Sequence, residues 1–245
     1  MIEIDWLGWK RAALDLFFPA DCPICEGPAY TDEFSFTCLA CLDSVAWIQK
    51  SRCRSCGVGM DGMDYAGLTC KNCRESPPVF GEGRSMFHLN QAGRILIHEL
   101  KYEANKRVLD DMPFFLERVP QFLEFITGAV LIPVPLHKKK LRKRGYNQTF
   151  WIAKAFAKEA GVSTVAYDCL KRLRDTPSQT KLDRAERQQN VKNAFALKDG
   201  TCLDGFDRIV LVDDVYTTGA TLDACAQALI DSGVREVEVA TLGHG

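Results

Sequence analysis

Residues 209–221 read Ile-Val-Leu-Val-Asp-Asp-Val-Tyr-Thr-Thr-Gly-Ala-Thr. The four leading apolar residues fit a buried parallel strand, Ile209 to Val212, that ends on two acids, Asp213 and Asp214. A helix follows. Leu222, Cys225, Ala226, Leu229 and Ile230 share one face, and Gly233 stops it. Between strand and helix lies a small hydroxyl-rich turn, Thr217, Thr218, Gly219, Ala220 and Thr221. Gly219 lets the backbone turn closely around an anion. Amides at the helix start, with the hydroxyls of Thr217, Thr218 and Thr221, can donate to a phosphate. The two carboxylates repel phosphate. They suit the vicinal hydroxyls of a ribose, or a magnesium ion oriented through water. The bland alternative is an ordinary strand–turn–helix. A Walker A loop is excluded, because no Gly-x4-Gly-Lys-Ser/Thr occurs.

The flanking pattern alternates strands and helices. Ser85 to Leu89 reads as a strand and Arg94 to Lys101 as a helix. Ala129 to Val134 is an apolar run ending in prolines, another buried strand. Asn147 caps a helix that continues to about Ala160, where Gly161 stops it. Thr164 to Leu170 and Val234 to Leu242 complete the strands. This order predicts a parallel sheet with crossover helices.

Two segments are basic. After the strand at 129–134 come Lys138, Lys139, Lys140, Arg142, Lys143 and Arg144. Read as a loop, they can neutralise a diphosphate, contact a nucleic-acid backbone, or simply be solvated. His137 is the one histidine read beside this site, and it receives no catalytic role. Residues 170–190 carry six more cations, and Pro177 with its small polar neighbours predicts a mobile loop able to close over a diphosphate, or a plain polar surface.

The chain has eleven cysteines in 245 residues. Eight form four Cys-x2-Cys pairs: Cys22/Cys25, Cys38/Cys41, Cys53/Cys56 and Cys70/Cys73. Each pair supplies one edge of a tetrahedral zinc site, and a second pair about a dozen residues on completes it. The simplest pairing puts the first four on one zinc and the last four on another. Interleaved pairing is the alternative. Closed all-cysteine sites are structural. Disulfides would need an oxidising compartment. Cys169, Cys202 and Cys225 read as small core residues.

A hydrophobic content of 47% supports a core, and a net charge of −1 argues against a whole-protein grip on nucleic acid. The start mixes charges with apolar residues, and Trp6, Trp9, Ala13, Leu16 and Phe17 suggest a short amphipathic helix. Without an export pattern or a bilayer-length apolar run, the expectation is a cytoplasmic protein with no membrane insertion. The expected layout is a short helix over 1–20, a double zinc ribbon over 21–78 bounded by Pro77-Pro78, and an α/β domain over 79–245.

The stretch 209–221 resembles the signature of type I phosphoribosyltransferases. One departure stands out. Where the branch acting on 6-oxopurines places an aspartate base, this sequence has Thr217, which argues against that reaction. More broadly, the chain resembles the ComF family. The resemblance rests on the four cysteine pairs, His98-Glu-Leu-Lys-Tyr102, Pro133-Val-Pro-Leu-His137, Arg144-Gly-Tyr-Asn-Gln148, Arg174-Asp-Thr with Gln179, Arg184-Ala-Glu-Arg with Asn190, and Asp213-Asp214 with Thr217–Thr221. It implies a double zinc ribbon followed by a phosphoribosyltransferase-like sheet with flanking helices. It implies phosphoribosyl pyrophosphate as ligand, with magnesium, and a link to uptake or use of DNA in natural transformation. It places His137, Lys138 and Arg144 on a pyrophosphate loop, Lys101 near the active site, and Arg174, Thr176 and Gln179 in the flexible loop.

Two functions compete at this point. One is a phosphoribosyl transfer in which Asp213 and Asp214 position the ribose and no general base is assigned. The other is a non-catalytic adaptor for single-stranded DNA, a helicase-like partner or another protein of the DNA-uptake machinery. Residues 22–73 carry more acids than bases, so the ribbon itself suits a protein better than DNA. Trp47 and Ile48 are expected to pack between the two ribbons.

Overall fold

The structure is a computed structural model, and it describes residues 21–29, 36–49, 51–60, 68–161, 166, 168–174, 193–201, 203, 206 and 208–245. The helix expected over 1–20 lies outside them.

In chain order the elements are α1 (Leu39–Asp43), β1 (Ala46–Trp47), α2 (Lys71–Glu75), β2 (Gly83–His88), α3 (Gln91–Tyr102), a 3-10 turn (Lys106–Asp111), α4 (Met112–Arg118), α5 (Pro120–Ile126), β3 (Val130–Pro133), α6 (Lys138–Arg144), α7 (Gln148–Glu159), β4 (Leu170–Arg172), β5 (Phe195–Leu197), β6 (Ile209–Tyr216), α8 (Ala220–Ile230) and β7 (Val237–His244). Five strands form one sheet in the order β1-β2-β7-β6-β3. All its pairings are parallel except β1 with β2. The fold is therefore the expected mixed α/β architecture.

Strand periodicity sorts the core. Val210, Val212, Ala240 and Leu242 face one apolar cluster with α3, α4, α5 and α7. Ile209, Leu211, Val237 and Val239 face another with α8 and the second group of cysteines. Both faces of β6 and β7 are covered, which explains their unbroken apolar runs.

Three expectations need correction. The basic stretch at 138–144 is a helix, α6, not a loop. Lysine and arginine are good helix formers, the His137 side chain accepts from Lys139 N–H at the start, and Gly145 closes the end at φ +82°. The strand expected at Thr164 to Leu170 begins only at Leu170. Its earlier described residues are not strand, and β4 pairs antiparallel with β5 in a separate two-stranded sheet. Helices α4 and α5 fall where periodicity predicts nothing. Pro113 and Pro120 start two helices of seven residues each, too short to display a helical period.

The third correction concerns Trp47. It does not lie between the ribbons. It sits on β1, pairs with Phe87 of β2, and packs its ring at 5.7 Å from Phe87 and 5.4 Å from Phe115 of α4. Buried Asp111 ties the same region down, accepting from Phe36 N–H at 2.6 Å and Thr37 N–H at 2.8 Å. The first ribbon thus contributes a strand to the main sheet. Among the described residues no helix is long and apolar enough to cross a membrane.

Candidate functional site

The eight paired cysteines gather in two groups, Cys22/Cys25/Cys38/Cys41 and Cys53/Cys56/Cys70/Cys73, with all sulfurs of a group within 4.8 Å of one another. This is the simple pairing. Cys25 Sγ to Cys38 Sγ and Cys56 Sγ to Cys70 Sγ are each 3.8 Å. A tetrahedron with zinc–sulfur bonds of about 2.3 Å has edges of about 3.8 Å, so both groups fit zinc. The knuckle turns are alike. Glu26 N–H donates to Cys22 carbonyl, and Gly57 N–H to Cys53 carbonyl. The residue after each second cysteine is left-handed, Gly57 at φ +75° and Glu26 at +58°. Cys70 N–H also donates to Cys53 Sγ at 3.2 Å. Cys169 and Cys225 are buried core residues, as expected, and Cys202 lies outside the described residues.

A cleft of about 530 Å³ opens beyond the carboxyl ends of β2, β3 and β6. Parallel α/β sheets bind ligands at this end. Its floor carries Asp213 and Asp214. The turn Thr217–Thr221 lines one side, α3 lines another through Arg94, His98, Lys101 and Tyr102, and Lys140, Arg144 and Gln148 contribute from α6 and α7. Gly219 takes φ +76°, and a Cβ there would run into the Tyr216 hydroxyl. The turn therefore requires glycine.

The strand does not end at Val212. It continues through both acids to Tyr216, because β7 is equally long and pairs with it, Asp213 opposite Thr241 and Tyr216 opposite His244. Neighbouring strand residues point to opposite faces, so the two acids have different surroundings. Asp214 is buried between α3 and α7. Its Oδ1 is 2.8 Å from Lys101 Nζ, and its Oδ2 accepts from Gln148 Nε2 at 2.6 Å. Gln148 Oε1 in turn accepts from Arg144 at 2.5 Å. Burial pulls against the Lys101 charge, but the charge and hydrogen bond of Asp214 outweigh it, and the Lys101 pKa is raised. Asp213 is partly buried and accepts from Asp214 N–H at 2.8 Å. Burial and the Asp214 charge push its pKa up to about 7, against the pull of Lys101 and Arg172.

Asn147 orders this corner. Its side chain caps α7 through Thr149 N–H, and its amide donates to the Val134 carbonyl, which Thr149 Oγ1 also contacts at 2.7 Å. Gln148, first residue of α7, is thereby fixed beside Asp214.

Residues 13–76 match the model of the double zinc ribbon domain. The chain is 27% identical over 220 residues to "Competence protein F" of Haemophilus influenzae, covering 84% of this chain and 96% of that one. It is 28% identical over 230 residues to "DNA utilization protein YhgH" of Salmonella typhi, with 91% and 96% covered. "Competence protein ComFC" of Bacillus subtilis is 24% identical over 206 residues, with 80% and 78% covered. Together these matches support a ComF-family protein.

The cleft brings together Asp213, Asp214, Thr217, Thr218, Gly219, Ala220, Thr221, Lys101 and Arg144. His137 and Lys138 are not in its lining. His137 caps α6, Lys138 is exposed, and the histidine that lines the cleft is His98. Arg174 is exposed and also absent from the lining, while Thr176 and Gln179 lie outside the described residues. The cleft adds Arg94, His98, Tyr102 and Gln148, to which sequence reasoning gave no site role, and takes Lys140 and Arg172 from the two basic segments read as diphosphate-facing. Arg94, His98 and Lys101 stand at helical spacing i, i+4, i+7, a polar stripe that marks one functional face of α3.

Proposed function

We propose that the cleft binds phosphoribosyl pyrophosphate with magnesium, in a cytoplasmic protein that serves the uptake or use of DNA. The carrying observation is that a glycine-dependent hydroxyl turn, an acidic pair of unequal environment and paired cations share one cleft at the carboxyl end of β6. The relatives' printed names supply the link to competence and DNA utilisation. Eight cysteines arranged for zinc favour a reducing compartment.

In this reading residues 79–245 form the phosphoribosyltransferase-like part. Thr217–Thr221 hold the 5-phosphate through hydroxyls and the amides at the start of α8. Asp213 accepts from the ribose hydroxyls. Lys101 and Gln148 hold Asp214 in place beside it. Lys140 and Arg144 neutralise the diphosphate. Magnesium, bound through the ligand's diphosphate and waters facing the acids, would supply charge neutralisation for the leaving group. Transfer would break the bond from ribose C1 to diphosphate oxygen and form one to a nitrogen nucleophile. Positioning and charge stabilisation carry such a reaction, with no base required of Thr217.

The test is a calorimetric titration of zinc-loaded protein with phosphoribosyl pyrophosphate and magnesium, beside Asp213→Ala. That variant leaves the Lys101–Asp214 pair intact. Saturable binding in the parent and its loss in Asp213→Ala are expected. A folded, zinc-loaded parent that binds nothing would mean that the cleft is inherited scaffold.

A further inference from the structure

The two cysteine groups have unequal neighbours. Cys53, Cys56 and Cys73 are buried in one apolar cluster with Phe80. Tyr216, Ala220 and Leu222 belong to the same cluster and also line the cleft. Among the described residues, none of the first four cysteines joins either apolar cluster. The segment around them enters the core through Phe36, Leu42 and Val45, in the cluster with Phe115 of α4.

Two routes join the second group to the hydroxyl-rich turn. The first runs through rings. Phe80 meets Tyr216 edge-on at 6.3 Å and 84°. The Tyr216 hydroxyl lies against Gly219, where the left-handed turn leaves no room for a Cβ. His244 stacks on Tyr216 at 4.8 Å, and His88 meets His244 at 6.3 Å. A Cβ on Gly59, between the two pairs of the second group, would run into His88 Nε2. The second route runs through backbone. Val79, just beyond α2, donates its N–H to Asp223 Oδ1 at 2.9 Å. Asp223 stands in the first turn of α8, the helix whose opening amides face the cleft.

We infer that the second cysteine group is a positioning element of the cleft. Through Phe80 and Tyr216, and through Val79 and Asp223, it sets the shape of Thr217–Thr221. Zinc at Cys53, Cys56, Cys70 and Cys73 and a ligand in the cleft therefore strengthen each other, while zinc at the first group is indifferent to the ligand. The knuckle is the element with two states. It has little core of its own, so it is ordered around its metal and opens without it. Opened, it no longer holds Phe80 against Tyr216, and a close-packed neighbour cannot fill the gap without moving. The turn then leaves the geometry in which its amides converge. By linkage, whatever factor the metal adds to ligand affinity, the ligand must add to metal affinity. The ligand half rests on the reading of the cleft given above.

The experiment is alkylation of the full zinc-loaded chain by N-ethylmaleimide beside a zinc-selective chelator, read peptide by peptide by mass spectrometry, with and without saturating phosphoribosyl pyrophosphate and magnesium. Calorimetry on the same samples reports whether the ligand is bound. The ligand is expected to slow labelling of Cys53, Cys56, Cys70 and Cys73 about tenfold, and to change that of Cys22, Cys25, Cys38 and Cys41 by less than about twofold. A general stabilisation of the fold would slow both groups alike. Phe80→Ala should cut the protection of the second group to about twofold, and Phe80→Leu should restore most of it. Equal slowing of both groups, or slowing of neither while calorimetry shows the ligand bound, overturns the coupling. If calorimetry shows no ligand bound, the cleft reading fails, and hydrogen exchange decides the positioning half. Cys70→Ser/Cys73→Ser should then speed exchange at the amides of residues 218–221 about tenfold, and Cys22→Ser/Cys25→Ser should not. Where the first of these variants does not fold, the parent chain with limiting chelator gives the same comparison. Exchange at the turn that ignores the state of the second group overturns the positioning role.

Discussion

Lys101 Nζ sits 2.8 Å from Asp214 Oδ1, and Asp214 is buried while Lys101 keeps a quarter of its side chain in water. Removing the lysine strands a carboxylate that, among the described residues, has Gln148 left to satisfy it. Lys101→Met should cost about 2–3 kcal/mol, less than a fully buried pair because the lysine is partly solvated. The double variant Lys101→Met/Asp214→Asn should recover at least half of this by denaturant unfolding. Equal instability of single and double variants would show that the loss is lost packing rather than stranded charge.

Gly219 and Tyr216 form a second testable pair. Gly219→Ala meets both a left-handed backbone and the Tyr216 hydroxyl. It should destabilise by about 1–2 kcal/mol and abolish binding of phosphoribosyl pyrophosphate. Adding Tyr216→Phe removes the nearest clashing atom but leaves the ring Cζ 2.7 Å from the new Cβ, so it should restore only a small part of the stability. The backbone strain would remain. Thermal melts and calorimetry on the three variants report how much of the loss the hydroxyl contact carries.

Much of this site is written in short-range spacing. The cysteine pairs, Asp213-Asp214 and the Thr217–Thr221 turn are each complete within a few residues, so their chemistry is legible before folding. The remainder arises from chain segments that meet only in space. Gln148 reaches Asp214 because α7 packs beside β6, and Arg172 approaches from a separate small sheet. The α6 helix was obscured by its composition. Seven residues with six cations show no apolar stripe from which a period can be read. Trp47 gave the wrong partner because β1 joins the main sheet across a wide sequence gap.

The chain also stores a removable strain. Glu26 holds φ +58° at the turn where the second knuckle has Gly57. Glu26→Gly should stabilise the protein by about 1 kcal/mol, since glycine enters this region freely. The readout is resistance of the bound zinc to a chelator. Zinc release as fast as in the parent would contradict it.

His244 sets an acid limit. It is buried against Tyr216 with its Nε2 unpartnered, and burial followed by the neighbouring His88 lowers its pKa to about 4. Between pH 6.5 and 4 the unfolded chain takes up a proton here and the folded chain does not. Stability from this group is therefore full above about pH 6.5 and is lost as pH falls towards 4. His244→Phe keeps a ring on Tyr216 and removes the titration. Relative to the parent it should gain about 2 kcal/mol on going from pH 8 to pH 5. A gap that stays constant across this range would remove His244 from the account.

Among the described residues, few backbone groups pair with the outer side of β2. Two residues of β1 and the Ile48 amide pair with it at one end. At the other, Gly57 comes so close to Gly83 that a Cβ would lie 2.6 Å from its carbonyl oxygen. Each cysteine group thus shields one stretch of the sheet border. Emptying a group of its metal would then do more than loosen a turn. It would uncover unpaired backbone beside Met86 and Phe87, a template on which a second molecule can add a strand. Metal-starved protein should therefore be lost by aggregation before it is lost by unfolding.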